Sequence, residues 1–345
     1  SYHLPTQPLL ELPLYNELIN RKIHTSLVLM EGDPRLKTKT ELANSIVLKK
    51  AKQLNEMISK DDVLICRFGY KGVIGDLAIP VKAAGKKVIM HDVGGVDIFF
   101  REVPATYLTA KTEWYKQQTL KKIGKKYKEI FPIGSIQFDE IFQLQNQQID
   151  KTAFMKSYGL DPTKKLAILT PANPGEAHMV GIKDDYKKIV EIVEKCTKYE
   201  LIIKGHPSDY ALIKSQHYGG KHSWEVFAPK AKIVRPEEGY KALSVCDVVL
   251  NIRSSLAIEI PILRKPLINI NSNKYVVNWP KVNDLGVMKN IEMKDLEKVL
   301  NNNDYFVDQN KCLKHVKQYC DPVADGKAYV RLADAIQKII SRSII

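Results

Sequence analysis

Short apolar runs alternate along this chain with amphipathic stretches, and the alternation predicts the elements. "TSLVLM" (25–30), "DVLICRF" (62–68), "KKVIM" (86–90), "ATYLTA" (105–110) and "EIFPIG" (129–134) read as strands. Helical spacing occupies about 39–59, 74–84 and 112–124 between them. A polar segment, residues 143–165, is poor in strand formers and ends in a proline-containing turn, so the domain boundary is expected there. The alternation then resumes. Strands are predicted at "KLAILTPAN" (165–173), "YELIIKGHP" (199–207), "AKIVRP" (231–236), "DVVLN" (247–251) and "PLINI" (266–270). Helices are predicted near 183–197, 208–216 and 238–245, from 254 onward, and at about 293–300, 307–320 and 327–343.

Strands that are apolar at nearly every position are buried on both faces, which points to parallel sheets covered by helices. The expected fold class is α/β, with two Rossmann-like doubly wound domains and a cleft between them. Residues 1–150 form the first, 151–326 the second, and 327–345 a closing helix that packs back toward the first. In such sheets ligands sit beyond the carboxyl ends of the strands, so the residues that follow each strand carry the candidate chemistry.

Composition narrows the classes. With 345 residues, 44% hydrophobic and 27% charged, the chain has ample material for two globular cores. No apolar run reaches the roughly 18 residues needed to cross a bilayer, and the first residues lack the pattern of a signal segment. Five cysteines, Cys66, Cys196, Cys246, Cys312 and Cys320, lack metal-type spacing. They are expected to be reduced, buried thiols of a cytoplasmic protein. The net charge of +14 favours an acidic partner.

Five loops stand out. In "NIRSSLAIEI" (251–260), a helix starting at Ser254 and Ser255 would offer free N–H groups and hydroxyls. Arg253 adds a cationic fork for phosphate oxygens, and Glu259 can accept hydrogen bonds from ligand hydroxyls. As plain structure the same residues make a serine cap and an acid in a first turn. "KGHP" (204–207) places Lys204 and His206 after an apolar strand, with Pro207 holding the histidine extended. "TPANPGEAH" (170–178) is a tight loop in which Thr170, Asn173 and Gly175 can approach a ligand. "IMHDVGGVD" (89–97) sets His91 or Asp92 as a general base beside Gly94 and Gly95. "CRFGYKGVIGD" (66–76), with Gly69 and Lys71, is a second glycine-rich loop; it matches neither the P-loop nor the dinucleotide fingerprint. Each of these also reads as an ordinary turn.

One further stretch, "WYKQQTLKKIGKKYK" (114–128), sets Lys116, Lys121, Lys122, Lys125, Lys126 and Lys128 against Trp114, Tyr115, Leu120, Ile123 and Tyr127. It reads either as a dock for an anionic membrane surface or as a solvated helix face.

With these residues in place, the second half resembles the donor domain of a GT-B glycosyltransferase. It is similar to the superfamily of teichoic-acid glycerophosphotransferases, capsule Kdo transferases and nucleotide-sugar 2-epimerases. The resemblance covers about residues 130–340. It is carried by Lys204-Gly205-His206-Pro207, by the run from Cys246-Asp247 through Ser254, Ser255 and Glu259, and by "RKPLINI" (264–270). "DPVADGKAYVRLADAIQKII" (321–340) and "IFPIGSIQFDEI" (130–141) add to it.

The resemblance implies an acceptor-binding first domain and a donor-binding second one. A nucleotide-activated donor would place its phosphates near Ser254 and Ser255, with Thr170, Asn173, Gly175, Lys204 and Arg253 around it. His206 would lie at the leaving group and Glu259 at the ribose or sugar. Gly69, Lys71, Gly94 and Gly95 would face the acceptor, and His91 or Asp92 would act as base. No metal and no cofactor are expected. Two departures matter: His91 is followed by Asp92 where the glycerophosphotransferases carry His-Gly, and Ser254-Ser255 replaces the Ser-Gly-Gly loop of the epimerases. Arg253 is unusual at its position. The expected function is transfer of a sugar or related group from a nucleotide donor to a glycan or lipid-linked acceptor, in surface polysaccharide synthesis. The alternatives are a UDP-GlcNAc-type 2-epimerase and a non-catalytic polyanion binder. No aromatic-plus-basic RNA module is present, so nucleic acid is not an expected partner. The expected location is cytoplasmic, with peripheral contact to a membrane.

Overall fold

The computed structural model describes residues 12–26, 28–30, 46–67, 81–82, 84–91, 105–171, 183–205, 231–271 and 285–342. Within them are two parallel sheets, the layout that buried apolar runs require. The first has four strands in sequential order: β3 (Val63–Arg67), β4 (Lys87–His91), β5 (Tyr107–Ala110) and β6 (Glu129–Pro132). A separate parallel pair joins β1 (Val28–Met30) to β2 (Ile46–Leu48).

The second sheet has six strands in the order β12-β11-β10-β7-β8-β9. Their ranges are β7 (Lys165–Thr170), β8 (Tyr199–Ile203), β9 (Lys232–Ile233), β10 (Val248–Asn251), β11 (Leu267–Asn271) and β12 (Lys289–Glu292). Winding proceeds outward from β7 through β8 and β9, then restarts beside β7 at β10 and proceeds the other way. The switch point is therefore between β7 and β10, whose carboxyl ends are Thr170 and Asn251, directly paired.

Strand alternation sorts the core by face. In the first sheet Val88, Met90, Leu108 and Ile130 enter one cluster. Ile89, Tyr107 and Phe131 enter another, with α1 (Leu12–Asn20) and α10 (Ala328–Ser341). Helix α10 presents Leu332, Ile336 and Ile339 at intervals of four and three residues, so they share one stripe. Burying each contributes roughly 1.5–3 kcal/mol. The second sheet uses Ala167, Leu169, Val248 and Leu250 against α6 (Lys183–Lys195) and α8 (Leu296–Asn301).

Its other face, with Leu166, Ile168, Ile202 and Val249, shares a single cluster with the first sheet. The bridge is α4 (Ile136–Gln145), whose Phe138, Ile141 and Phe142 are buried between α7 (Gly239–Val245) and the turn at Ile260–Leu263. The remaining helices are α2 (Ala51–Met57), α3 (Glu113–Ile123), α5 (Lys151–Ser157) and α9 (Gln309–Tyr319).

Several local expectations change. Residues 46–48 are a strand inside the predicted 39–59 helix; the run Ile-Val-Leu is short, apolar and β-branched at two positions. Segment 143–165 holds the end of α4 and all of α5, which Asp150 caps by accepting from the N–H of Ala153 at 3.0 Å. Helices α1 and α4 and strand β12 were not expected. The helix predicted from 254 is instead two 3-10 turns, Ser255–Ile258 and Ile260–Leu263. Pro261 lacks the N–H that an α-helix would need there. Residues 74–80 of the predicted helix 74–84, and all of the predicted helix 208–216, lie outside the described residues.

The five cysteines are free and buried. Among the described residues no helix is long and apolar enough to cross a membrane, and no three His, Cys, Asp or Glu side chains gather as a metal site.

Candidate functional site

The carboxyl ends of the parallel strands define the site. At the switch point, polar side chains replace apolar ones in one row across four strands. Thr170 donates to Oδ1 of Asn251 at 2.8 Å, and the Nδ2 of Asn251 donates to Oδ1 of Asn269 at 3.2 Å. Asn269 in turn donates to Asn290 at 2.9 Å. Thr170 and Asn251 are fully buried, so each bond satisfies a group that water cannot reach. The only hydroxyl proton of Thr170 is thus committed inside the sheet. Thr170 supports the floor of the site instead of offering a ligand a donor. Asn251, Asn269 and Asn290 were missed by the sequence reading; Asn251 and Asn269 each stood visibly in an apolar predicted strand, whereas Asn290 belongs to β12, which the pattern did not predict.

Beyond Asn251 the backbone turns sharply. Arg253 adopts φ +57°, a left-handed conformation that costs a non-glycine residue about 1–2 kcal/mol. The turn aims Ser254 so that its Oγ accepts the N–H of Leu256 at 3.4 Å. Ser254 is buried and Ser255 exposed. The expectation of a full helix N-terminus is corrected here: a four-residue 3-10 turn has no sizeable dipole. Positive charge must come from side chains.

Three cations supply it. Arg253 is half-buried just past β10. Lys204 follows β8, and its Nζ lies 5.7 Å from the centroid of the Tyr240 ring. The stem of Lys204 runs over Gly239, where an added Cβ would come within 2.8 Å of Cε and push the lysine stem aside. Lys111, which follows β5 in the first sheet, is almost fully buried, with its Nζ 5.1 Å from the Phe138 ring and 5.7 Å from that of Tyr115. The sequence reading missed Lys111, since a lysine after a strand reads as a solvated loop residue.

Among the described residues, Glu259 is the acid on which Lys204 and Lys111 act. Glu259 is 8% exposed and accepts the hydroxyl hydrogen of Tyr240 at 2.7 Å. Burial pushes its carboxyl up; the Tyr240 hydrogen bond and the charges of Lys204 and Lys111 oppose that. Tyr240 rises well above the usual phenol range, from burial and from the adjoining Glu259 charge, so it is the donor. Gln137 of α4 lies beside the same hydroxyl and works against that rise. Tyr240 too was missed; a tyrosine in an amphipathic helix has no separate sequence signal.

Of the other predicted residues, His91 ends β4 and is buried. It belongs to the first sheet, whereas Lys204, Arg253 and Glu259 follow strands of the second. Asp92, His206, Asn173, Gly175, Gly69, Lys71, Gly94 and Gly95 lie outside the described residues. In the lysine-rich stretch, Lys121, Lys122, Lys125, Lys126 and Lys128 are exposed, and Lys116 pairs with Glu113 at 3.3 Å. Its apolar residues do not form a membrane-facing stripe. Tyr115 and Tyr127 are buried, and Trp114, Leu120 and Ile123 pack against the core.

The described residues therefore bring a lysine from after each sheet's strands, Lys111 and Lys204, close to a carboxylate that Tyr240 orients. No family model matches the chain, and no curated protein matches its sequence. Solved structures do match it along nearly its whole length. The UDP-GlcNAc 2-epimerase from Neisseria meningitidis bound to UDP-GlcNAc superposes with a TM-score of 0.64 at 15% identity, covering 95% of this chain and 96% of that one. The UDP-GlcNAc 2-epimerase from Methanocaldococcus jannaschii gives 0.61 at 18% identity, covering 97% and 98%. A structure of the wall teichoic acid polymerase TagF soaked with CDPG gives 0.56 at 14%, covering 96% and 85%. The chain has the GT-B fold that the sequence resemblance implied.

Proposed function

We propose that this chain is an enzyme acting on a nucleotide-activated sugar or related group, and that it transfers that group to an acceptor hydroxyl. The observation that supports the reading best is the Glu259–Tyr240 pair beside Lys204 and Lys111, at the strand ends of a GT-B fold. In this reading Lys204 and Arg253 face the donor phosphates, where their charge stabilises the departing nucleotide. Glu259 accepts a ribose or sugar hydroxyl. His91 or Asp92 takes the proton from the acceptor oxygen as that oxygen bonds to the anomeric carbon. The bond to the phosphate oxygen breaks, and the nucleotide leaves with its electron pair. A single displacement of this kind inverts the anomeric centre. Asn173, Gly175, Ser254, Ser255 and His206 are assigned to the donor side, and Gly69, Lys71, Gly94 and Gly95 to the acceptor side. The acceptor is a glycan or lipid-linked chain of a surface polysaccharide. Contact with an anionic membrane through the exposed lysines would be Coulombic and salt-sensitive, since no apolar face accompanies them.

A second reading, nucleotide-sugar 2-epimerase, is favoured by the two epimerase structures that match 95% and 97% of the chain. Incubation of the protein with UDP-GlcNAc and no acceptor separates the two. A transferase leaves the sugar unchanged, and formation of the 2-epimer establishes the second reading. A thermal-shift panel of UDP, CDP, CMP, GDP and dTDP tests both, because each requires a nucleotide to stabilise the fold.

A further inference from the structure

Pro261 leaves a gap in the backbone bonding before Glu259. In a 3-10 turn the carbonyl of residue 258 would accept from the N–H of residue 261, and proline has none. The next N–H, that of Ile262, is bonded to the Glu259 carbonyl at 3.0 Å. The Ile258 carbonyl is satisfied from elsewhere. Nε2–H of His315 donates to it at 3.0 Å, and the Cys320 thiol donates to it at 3.3 Å. Both donors are fully buried.

The same peptide unit is held at its other end, where the N–H of Glu259 donates to Leu256 at 2.8 Å. With carbonyl and N–H both tied, the plane that launches the Glu259 side chain is fixed, and Tyr240 then sets its carboxylate. Burial lowers the His315 pKa to about 4, so the ring is uncharged near neutrality, and its carbonyl partner fixes the proton on Nε2. Among the described residues its other ring nitrogen, Nδ1, has no partner, so the ring makes its one polar bond to Ile258.

The donors sit on α9 and at its end, and α9 is docked on the first half. Thr112 donates to the Gln318 carbonyl at 2.6 Å, and Trp114 meets the Tyr319 ring edge-on at 5.4 Å. Tyr319 in turn lies 5.1 Å from the His315 ring. A continuous path of contacts leads from the strand ends of the first sheet, through α9, to the peptide that carries Glu259.

We infer that His315 is a positioning residue for Glu259, coupling the docking of α9 on the first half to donor affinity in the second. The inference rests on the reading that Glu259 meets the donor. The test uses the full chain with UDP and CDP, titrated calorimetrically. His315→Gln keeps an N–H where Nε2 stands. His315→Leu removes it, and His315→Asn is one bond too short to reach Ile258. The expected result is a Kd weakened about five- to tenfold in the Leu and Asn variants and within twofold of wild type in the Gln variant. Asp308→Ala removes the cap of the same helix, which accepts from Asn310 and Lys311 at 3.0 Å, and is the stability control. It should lower Tm and leave Kd unchanged.

Unaltered affinity in His315→Leu overturns the inference, as does an equal loss in Asp308→Ala. Should the Leu variant not fold, the Asn and Gln variants decide alone. A wild-type chain that binds neither nucleotide removes the donor reading itself and the role of His315 with it.

Discussion

Glu259 is held by groups that the chain supplies from four places: Tyr240 on α7, Lys204 after β8, Lys111 after β5, and His315 on α9. Its balance between burial and these partners makes a pH-dependent prediction. Tyr240→Phe removes the hydrogen bond that opposes burial, so the carboxyl rises further from the ordinary range. Since the ionised form is the acceptor for a ligand hydroxyl, the acid limb of nucleotide affinity should move to higher pH in the variant. Kd measured across pH 5 to 8 reads this, and superimposable limbs would count against Tyr240 as the partner that matters. Glu259 was legible in the sequence because an acid inside an apolar run is conspicuous. Lys111 and Tyr240 were not, because their roles arise from neighbours that are distant in the chain.

Elements depend on caps and breaks that the hydrophobic pattern does not carry. Spacing alone extends a helix from Ser254 through Leu263, yet one proline divides it into two tight turns. Helix α10 shows the opposite case. Its own Lys327 gives no side-chain cap, and the free N–H groups of Ala328 and Tyr329 donate instead to Asp139 of α4 at 3.0 and 3.1 Å. Arg331 extends the joint to the Ile133 carbonyl at 2.7 Å and to Asp321 at 2.7 Å. Asp139→Ala should cost about 0.5–2 kcal/mol, seen as a lower Tm.

Burial raises the Asp139 carboxyl to about 7, against the usual 3.8. The folded chain therefore holds this proton where the unfolded chain has lost it, and the contribution of Asp139 to stability grows as pH falls from about 7 toward 4. Denaturation curves across that window should show a rise in wild type that the variant lacks. A variant with the same slope would exclude Asp139 as its source. Gly326 reinforces the joint. It sits at φ +66°, and a Cβ there would come within 2.4 Å of Phe142, so Gly326→Ala should destabilise by more than 1 kcal/mol. An unchanged Tm would contradict the packing.

At the scale of the molecule, two parallel sheets were legible because buried strands leave unbroken apolar runs such as "KLAIL" and "DVVLN". The continuous core was not, since the pattern predicted no helix over α4, and its Phe138, Ile141 and Phe142 carry no sign in sequence of what they face. The net charge of +14 pointed to an anionic partner without locating it. The structure brings Lys111 and Lys204 to Glu259 and sets Arg253 just past β10, while the lysines of residues 121–128 stay at the surface.

The central claim is that this gathering of charge and carboxylate receives a nucleotide-linked donor. Thermal unfolding of the wild-type chain and of Glu259→Gln against UDP, CDP, CMP, GDP and dTDP tests it most directly. At a hundredfold excess over Kd, one nucleotide should stabilise the wild type by about 2.7 kcal/mol. The variant should show a smaller shift with the same nucleotide. Equal shifts in both chains, or no shift with any nucleotide, would contradict the account.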